Sequence, residues 1–271
     1  MAKTVGELNV VEGALKHNLP YLALGSGRPL VFLRWFTPDH ANPTGWMRKA
    51  EIKMLAPLAE HFRVYAVNRA PGMPAGTTMA DIAAQHADAL NAEFGEPVDV
   101  AGVSSGGSVA LQLAADHPEV VRKLVVISSG YRLEPNVRKA QLAYGEAAAA
   151  GRRGLHHAAA VVVKSPVLAR LTAAAVWLID PLARPKDPAT TLAFIRAEDG
   201  FDLTGRLADV TAPTLVIGGD QDAAYPVTNL RHTADGVPNG RLIVYPKTGH
   251  AGATKHPRLA PDVTEFLTAA V

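Results

Sequence analysis

A serine between two glycines is the first pattern in this 271-residue chain that could carry out catalysis. Ser104 is the centre of Gly102-Val103-Ser104-Ser105-Gly106, which follows an apolar strand pattern and precedes a helical one. A sharp strand-to-helix turn would expose the Ser104 side chain, and the glycines permit the close backbone approach that such a turn requires. The following helix would place backbone N–H groups beside Ser104, where negative charge develops in acyl transfer. The pattern predicts a nucleophilic serine; a phosphate-binding turn and a simple helix N-cap are the alternatives.

A serine nucleophile needs a base, and the base needs an acid that orients it. Both residue types follow Ser104 at the ends of predicted strands. The run 213–222 ends in a glycine turn with two carboxylates, Asp220 and Asp222, and the run 242–250 ends in Gly249-His250. α/β sheets place their functional groups at the carboxyl ends of parallel strands. The order serine, aspartate, histidine therefore predicts a triad in which His250 is the general base and then the general acid.

The elements that must position these residues alternate along the chain. Short runs rich in Val, Ile and Leu predict strands at 21–24, 30–33, 64–68, 98–103, 124–128, 214–218 and 242–245. Helical patterns follow at 79–94, 108–116 and 261–270. Continuous apolar runs are typical of strands that are covered on both faces. The alternation predicts an α/β fold with a mostly parallel central sheet flanked by helices.

One interval interrupts this alternation. Residues 131–211 contain no strand pattern, are rich in Ala, Leu and Arg, and carry five prolines that divide them into short segments. A crossover helix needs far fewer residues, so we expect an inserted set of short helices that lies over the sheet. The predicted organisation is a core formed by 1–130 and 212–271, with a helical insertion at 131–211.

These motifs together resemble the α/β-hydrolase superfamily over nearly the whole chain. The sequence around Ser104 is similar to the family's nucleophile elbow, and Ser105 would then supply one oxyanion N–H. The family's Gly-x-x-Asp spacing, counted from Gly219, selects Asp222 as the acid and leaves Asp220 to cap the turn. Gly249-His250 resembles the histidine loop. The insertion at 131–211 has the position of the family's cap.

The chain departs from the family pattern after the strand at 30–33. Many members have His-Gly there, whereas this chain has Arg34-Trp35, which makes Phe36 the matching second oxyanion donor. We expect Trp35 and, from the cap, Trp177 to line the substrate pocket. A purely structural role for Arg34 and Trp35 is the alternative.

Composition excludes several other classes of function. The chain has no cysteine, which excludes disulfides, thiolate metal sites and a cysteine nucleophile. Its net charge of +2, without a basic run, gives no basis for binding nucleic acid or anionic lipid. Two nearby aspartates are too few oxygen ligands for a hard cation, so we expect no metal. No signal peptide or membrane span is expected, which predicts a cytoplasmic protein.

The sequence therefore predicts a cofactor-independent serine hydrolase. It would cleave an ester or lactone bond of a small apolar substrate through an acyl-enzyme, as a monomer or homodimer. The same triad is compatible with thioesters, carbon–carbon bond hydrolysis and perhydrolysis, because a fold and a triad do not fix the substrate. A ligand-binding receptor or carrier on the same scaffold is the alternative from another class, and the Arg34-Trp35 departure is its main support.

Overall fold

The computed structural model describes residues 9–157 and 166–270, which form one eight-stranded sheet and the helices on its two faces. The strands are β1 (Val11–Leu15), β2 (Leu19–Gly25), β3 (Pro29–Leu33), β4 (Arg63–Val67), β5 (Val98–Val103), β6 (Val121–Ile127), β7 (Thr214–Gly219) and β8 (Gly240–Tyr245). The helices are α1 (Gly45–Ala59), α2 (Met79–Phe94), α3 (Ser105–Asp116), α4 (Pro135–Ala149), α5 (Pro166–Ile179), α6 (Pro188–Asp199), α7 (Val227–Gly236) and α8 (Leu259–Thr268).

The sheet is mostly parallel, as predicted. Its strand order is β1-β2-β4-β3-β5-β6-β7-β8; β2 is antiparallel to β1 and to β4, and all other neighbours are parallel. The carboxyl ends of β3, β5, β7 and β8 therefore meet at one edge of the sheet. Those four ends carry the oxyanion loop, the serine turn, the aspartate loop and the histidine loop that the sequence predicts.

Both faces of the sheet are buried, which explains the continuous apolar runs of its central strands. On β6, Leu124 and Val126 belong to the cluster that includes α2 and α3, whereas Val125 and Ile127 belong to the cluster that includes α1 and α8. Successive strand residues point to opposite faces. A strand with a core on each side is therefore apolar along most of its length.

Three elements were not predicted. The edge strand β1 has a largely exposed sequence, Val-Glu-Gly-Ala-Leu, without a clear alternation. Helix α1 contains Pro57, and the short helix α7 is mostly polar, so neither has a strong apolar stripe. In addition, α3 begins at Ser105 and not at residue 108, which brings the helix start directly to Ser104.

The inserted segment, 131–211, is helical without a described strand, apart from an isolated bridge between Arg132 and Asp202. Its residues 158–165 lie outside the described residues. Phe194 and Phe201 of the segment join the same buried cluster as α2 and α3. The division of the chain into a core and a cap stays a prediction. No helix within the described ranges is long and apolar enough to cross a membrane.

Candidate active site

Ser104 occupies a strained turn between β5 and α3. Its φ of 53° and ψ of −123° lie where residues other than glycine are rare, and such a conformation costs on the order of 1–3 kcal/mol. The turn is held by backbone hydrogen bonds: the Ser104 amide donates to the Ile127 carbonyl (2.9 Å), and the Ser104 carbonyl accepts from the Gly107 amide (2.7 Å). This turn places the serine hydroxyl at the sheet edge and directs the start of α3 toward it.

The glycines on either side of Ser104 are required by backbone packing. A methyl group on Gly102 would overlap the carbonyl oxygen of Gly106, and one on Gly106 would overlap the carbonyl oxygens of Leu33 and Arg34. The second contact brings the loop after β3, which carries Phe36, against the serine turn. The Gly-x-Ser-x-Gly spacing thus joins two parts of the site.

Ser104, His250 and Asp222 form a hydrogen-bonded chain. His250 Nε2 lies 3.0 Å from Ser104 Oγ, and His250 Nδ1 lies 2.9 Å from Asp222 Oδ2. The side chain of Asp222 is fully buried, and its Oδ1 accepts from the amides of Ala224 (2.8 Å) and Tyr225 (3.0 Å). Because the ionised carboxylate only accepts, His250 Nδ1 carries the proton and Nε2 is free to accept the proton of the serine.

The structure separates the two aspartates as the Gly-x-x-Asp spacing predicts. Asp220 is exposed, and its Oδ1 accepts from the Thr248 amide (3.2 Å) in the histidine loop. Asp222 is the one that faces His250. A methyl group on Gly219 would overlap the Thr248 carbonyl, so this glycine permits the close contact between the aspartate and histidine loops.

The two residues whose backbone amides are predicted to form the oxyanion hole lie on the cavity wall. Ser105 is the first residue of α3, and Phe36 lies in the loop after β3; both line the cavity that contains Ser104. Within the described part of the chain, neither amide donates a hydrogen bond. The Phe36 ring stacks on Phe194 (6.2 Å, 13°) and meets Tyr144 edge-on (5.8 Å), which fixes the loop.

The side chains of Arg34 and Trp35 are held by contacts with other parts of the chain. Arg34 is buried and forms a two-pronged ion pair with Glu51 of α1 (2.7 and 2.8 Å), and it also donates to Asn42 (3.0 Å). Trp35 packs edge-on against Phe32, on the α1 side of the sheet. Arg34 therefore has a structural role, which is one of the two roles expected from the sequence.

Neither predicted tryptophan lines the cavity. Trp35 belongs to the packing around Phe32, and Trp177 on α5 is 45% exposed, with the guanidinium of Arg153 3.8 Å from its ring centroid. The structure corrects the expectation that these indoles lie beside Ser104, because each is held by contacts elsewhere. Sequence order gave no direction for either side chain.

The cavity beside Ser104 has a volume of about 140 Å³, and most of its lining residues were not predicted from the sequence. It is lined by Phe36, Ser104, Ser105, Leu133, Val137, Gln141, Tyr144, Ala224, Tyr225 and His250. Four of these residues, Leu133, Val137, Gln141 and Tyr144, have the spacing of one helical face, and the last three lie on α4. This periodicity is the sequence signal from which they could have been predicted. A larger groove of about 330 Å³ lies beside α2 and contains none of the triad residues.

A buried carboxylate lies next to the serine turn. Glu198 of α6 is 1% exposed and accepts from the hydroxyls of Ser105 (2.9 Å) and Ser108 (3.1 Å) and from the Gln141 amide (3.1 Å). Burial raises the pKa of Glu198, and the hydrogen bonds and the nearby Arg69 oppose that rise. The inserted segment thus holds the side chain of the predicted oxyanion serine.

Arg69 and His40 are a second buried polar pair close to Phe36. The Arg69 guanidinium lies 3.9 Å from the ring centroid of Phe194, and its Nε donates to His40 Nε2 (3.3 Å). His40 Nδ1 donates to the Ala70 carbonyl (2.9 Å). Because Nε2 accepts from Arg69 and therefore carries no proton, the imidazole is neutral. Burial, with the charge of Arg69, lowers the pKa of His40 to about 3. These groups support the loop and do not enter the cavity.

Asp220 and Asp222, the two neighbouring carboxylates considered as metal ligands, have other partners. Asp222 is occupied by His250 and two amides, and Asp220 contacts the histidine loop. Throughout 9–157 and 166–270, no group of three or more His, Asp or Glu residues could hold a metal ion.

Comparison with known proteins gives matches of sequence and of fold. A model of the "Alpha/beta hydrolase family" matches residues 27–262. The chain is 28% identical to "Putative carbamate hydrolase RutD" of Yersinia enterocolitica over 220 residues, which are 73% of this chain and 74% of that protein. It is also 28% identical, over 231 residues, to a pimeloyl-[acyl-carrier protein] methyl ester esterase of Nitrosomonas europaea, covering 79% of this chain and 89% of that one. The crystal structure of an enol-lactonase from Burkholderia xenovorans superposes with a TM-score of 0.72 at 18% identity, covering 96% of this chain and all (100%) of that one, which is a likeness of fold.

Proposed function

Because this chain belongs to the alpha/beta hydrolase family, we propose that it is a serine hydrolase that cleaves an ester or lactone bond of a small substrate through an acyl-enzyme. The observation that carries the proposal is the hydrogen-bonded chain from Ser104 through His250 to Asp222, with Ser104 on the wall of a cavity. A nucleophile, a base and an orienting acid within hydrogen-bond reach are the arrangement that acyl transfer requires.

The reaction proceeds in two halves. Ser104 Oγ attacks the substrate carbonyl carbon while His250 Nε2 takes its proton, and Asp222 stabilises the imidazolium. The amides of Ser105 and Phe36 donate to the oxyanion. His250 then protonates the leaving oxygen, and the acyl group stays on Ser104. A water molecule, deprotonated by His250, attacks the acyl-enzyme and releases the acid. Every group in this scheme belongs to the chain, so no cofactor is needed.

The cavity favours a small acyl group. Its volume of about 140 Å³ lies well below the roughly 300–1,000 Å³ of pockets that hold drug-sized ligands. Its walls are partly apolar, with Leu133, Val137 and Ala224. We therefore expect esters of short acids, of about four carbons, to be better substrates than those of long acids.

The names of the relatives support ester-type chemistry. One relative is named for a methyl ester and one fold neighbour for an enol-lactone, and the RutD proteins are named for a carbamate. All three groups contain a carbonyl carbon bonded to a leaving group, which is the target of a serine triad. A carbamate therefore belongs in the substrate panel beside esters and lactones.

A receptor or carrier function has lost its main support. That alternative depended on the Arg34-Trp35 departure, and the Arg34 side chain forms a buried ion pair with Glu51. The hydrogen-bonded chain of Ser104, His250 and Asp222 supports the enzyme over the carrier.

A fluorophosphonate probe tests the proposal directly. We expect the wild type to gain one adduct at Ser104 by intact mass and peptide mapping, and Ser104→Ala to gain none. Ser26→Ala, a change at an exposed serine, is the matched control and should label like the wild type. On the best ester of the panel, Ser104→Ala should lower kcat by roughly 10⁴-fold or more. An unlabelled wild type without turnover on any ester, lactone or carbamate would support the carrier.

A further inference from the structure

One wall of the cavity beside Ser104 carries two polar side chains on a single face of α4. Gln141 and Tyr144 are three residues apart, so they are neighbours on the helix surface. The other α4-side residues of this wall, Leu133 and Val137, are apolar. Two polar groups in such a wall are the features that can fix the orientation of a ligand and select it.

The buried Glu198 fixes the direction of the Gln141 amide. Gln141 Nε2 donates to Glu198 Oε2 at 3.1 Å, and Glu198 also accepts from the Ser105 and Ser108 hydroxyls. Because Nε2 is the atom that meets Glu198, the NH₂ group of the Gln141 amide points toward the carboxyl group. The carbonyl oxygen of Gln141 is thereby left as an acceptor on the cavity wall.

Tyr144 has an unused hydrogen-bonding group. The residue is only 2% exposed, and its hydroxyl has no hydrogen-bond partner among the described residues. Burial raises the pKa of Tyr144 to about 12, so the hydroxyl keeps its proton at neutral pH and can donate. A buried hydroxyl without a partner is unfavourable, and a bound ligand that accepts its hydrogen bond would remove that cost.

We propose that Gln141 and Tyr144 bind a hydroxyl group on the acyl chain of the substrate, so that the preferred substrates are short hydroxyacyl esters or the corresponding lactones. The hydroxyl donates to the Gln141 carbonyl oxygen and accepts from the Tyr144 hydroxyl. This inference rests on the proposed function. It places the hydroxyl on the acyl side because the acyl group stays bonded to Ser104 in this cavity while the alcohol leaves.

The same wall disfavours an anionic substituent. A carboxylate on the substrate would face the Gln141 carbonyl oxygen, which has no hydrogen to donate, and would lie near the buried carboxylate of Glu198. A neutral group that both donates and accepts is therefore the match, and the small cavity volume favours a hydroxyl over a larger amide.

The test compares matched esters of one alcohol: butyrate, 3-hydroxybutyrate and the half-ester of succinate. In the wild type, kcat/KM should follow the order hydroxybutyrate, butyrate, succinate. Gln141→Leu and Tyr144→Phe should each lower the ratio of hydroxybutyrate to butyrate kcat/KM by about 3- to 10-fold, the value of one neutral hydrogen bond. Tyr65→Phe, a change on β4 where the ring packs against Tyr21 and Phe94, is the control and should leave the ratio unchanged.

The outcomes separate this inference from the proposed function. Tyr144→Phe keeps the ring and so keeps the experiment informative if Gln141→Leu fails to fold. An unchanged ratio in a folded variant, or a wild-type preference for the succinate half-ester, would overturn the hydroxyl site, while labelling at Ser104 and ester turnover would leave the serine hydrolase standing. No labelling and no turnover would remove both.

Discussion

Replacing Asp222 by asparagine should reverse the tautomer of His250. Asp222 Oδ1 accepts from the amides of Ala224 and Tyr225, and Oδ2 faces His250 Nδ1. An asparagine in this position must keep its oxygen on the two amides, because the opposite orientation would place its NH₂ group against two N–H donors. Its NH₂ group would therefore face Nδ1, and Nδ1 would become the acceptor. The ring proton would then be on Nε2, directed at Ser104 Oγ.

The expected loss of activity is large and confined to the chemical step. With its proton on Nε2, His250 cannot accept the hydrogen of Ser104, and kcat should fall by up to ~10⁴-fold. At about 1.36 kcal/mol for each factor of ten, this is roughly 5.4 kcal/mol of transition-state stabilisation. KM should change little, because Asp222 does not line the cavity.

The neighbouring aspartate provides a matched control. Asp220→Asn keeps an acceptor for the Thr248 amide on an exposed turn, so it should cost no more than about 1 kcal/mol of stability and retain most activity. Steady-state kinetics on a butyrate ester and thermal melting of both variants decide the question. An inactive Asp220→Asn, or an Asp222→Asn variant with more than about a tenth of wild-type kcat, would refute the assignment of the acid.

Three further predictions follow from packing and burial. Gly106→Ala should lower Tm and activity, because its methyl group overlaps two carbonyl oxygens of the preceding loop, whereas Gly205→Ala, which meets no atom within 4 Å, should do neither. Arg34→Met should lower the free energy of unfolding by about 3–5 kcal/mol in urea titrations, because it leaves Glu51 buried and unpaired. Replacing both Arg34 and Glu51 by Met should recover most of this loss. A double variant as unstable as the single variant would contradict this explanation. Burial lowers the pKa of His86 to about 4 from its usual 6.5, so the unfolded chain binds the extra proton first as the pH falls. The contribution of His86 to the free energy of unfolding should therefore be full above pH 6.5 and decrease toward pH 4, by at most about 3 kcal/mol. His86→Leu should make the free energy of unfolding, measured at several pH values, less dependent on pH in this range.

The elements that the sequence predicted well carry their own signals. Helix α2 has the predicted ends because Thr78 accepts from the Asp81 amide at its start and Gly95, with a φ of 67°, ends it in the left-handed region. Strand β5 is buried at every position, and all of its residues except Asp99 are apolar or glycine. Each of these signals is carried by residues that are neighbours in the sequence. It can therefore be recognised without knowledge of the rest of the fold.

The elements that were missed depend on their neighbours. Strand β1 is defined by its pairing with β2, and its own residues are mostly exposed. Helix α1 buries Ile52 and Leu55 against the sheet, but Pro57 interrupts the pattern that would have shown it. Where the apolar stripe is short or interrupted, tertiary packing outweighs local propensity, and the sequence pattern is too weak to predict the element.

The sequence by itself determined the fold class and the roles of Ser104 and His250, and the family resemblance selected Asp222 over Asp220. Ser104, Asp222 and His250 each follow a recognisable strand, and parallel strands bring their carboxyl ends together whatever lies between them. The tertiary structure decided the rest of the site. Ser105 meets Glu198, 93 residues further along the chain, and α4 supplies the cavity wall that two exposed or distant tryptophans were expected to form. Side-chain direction depends on which surfaces of distant elements pack together, and no local spacing in the chain records that choice.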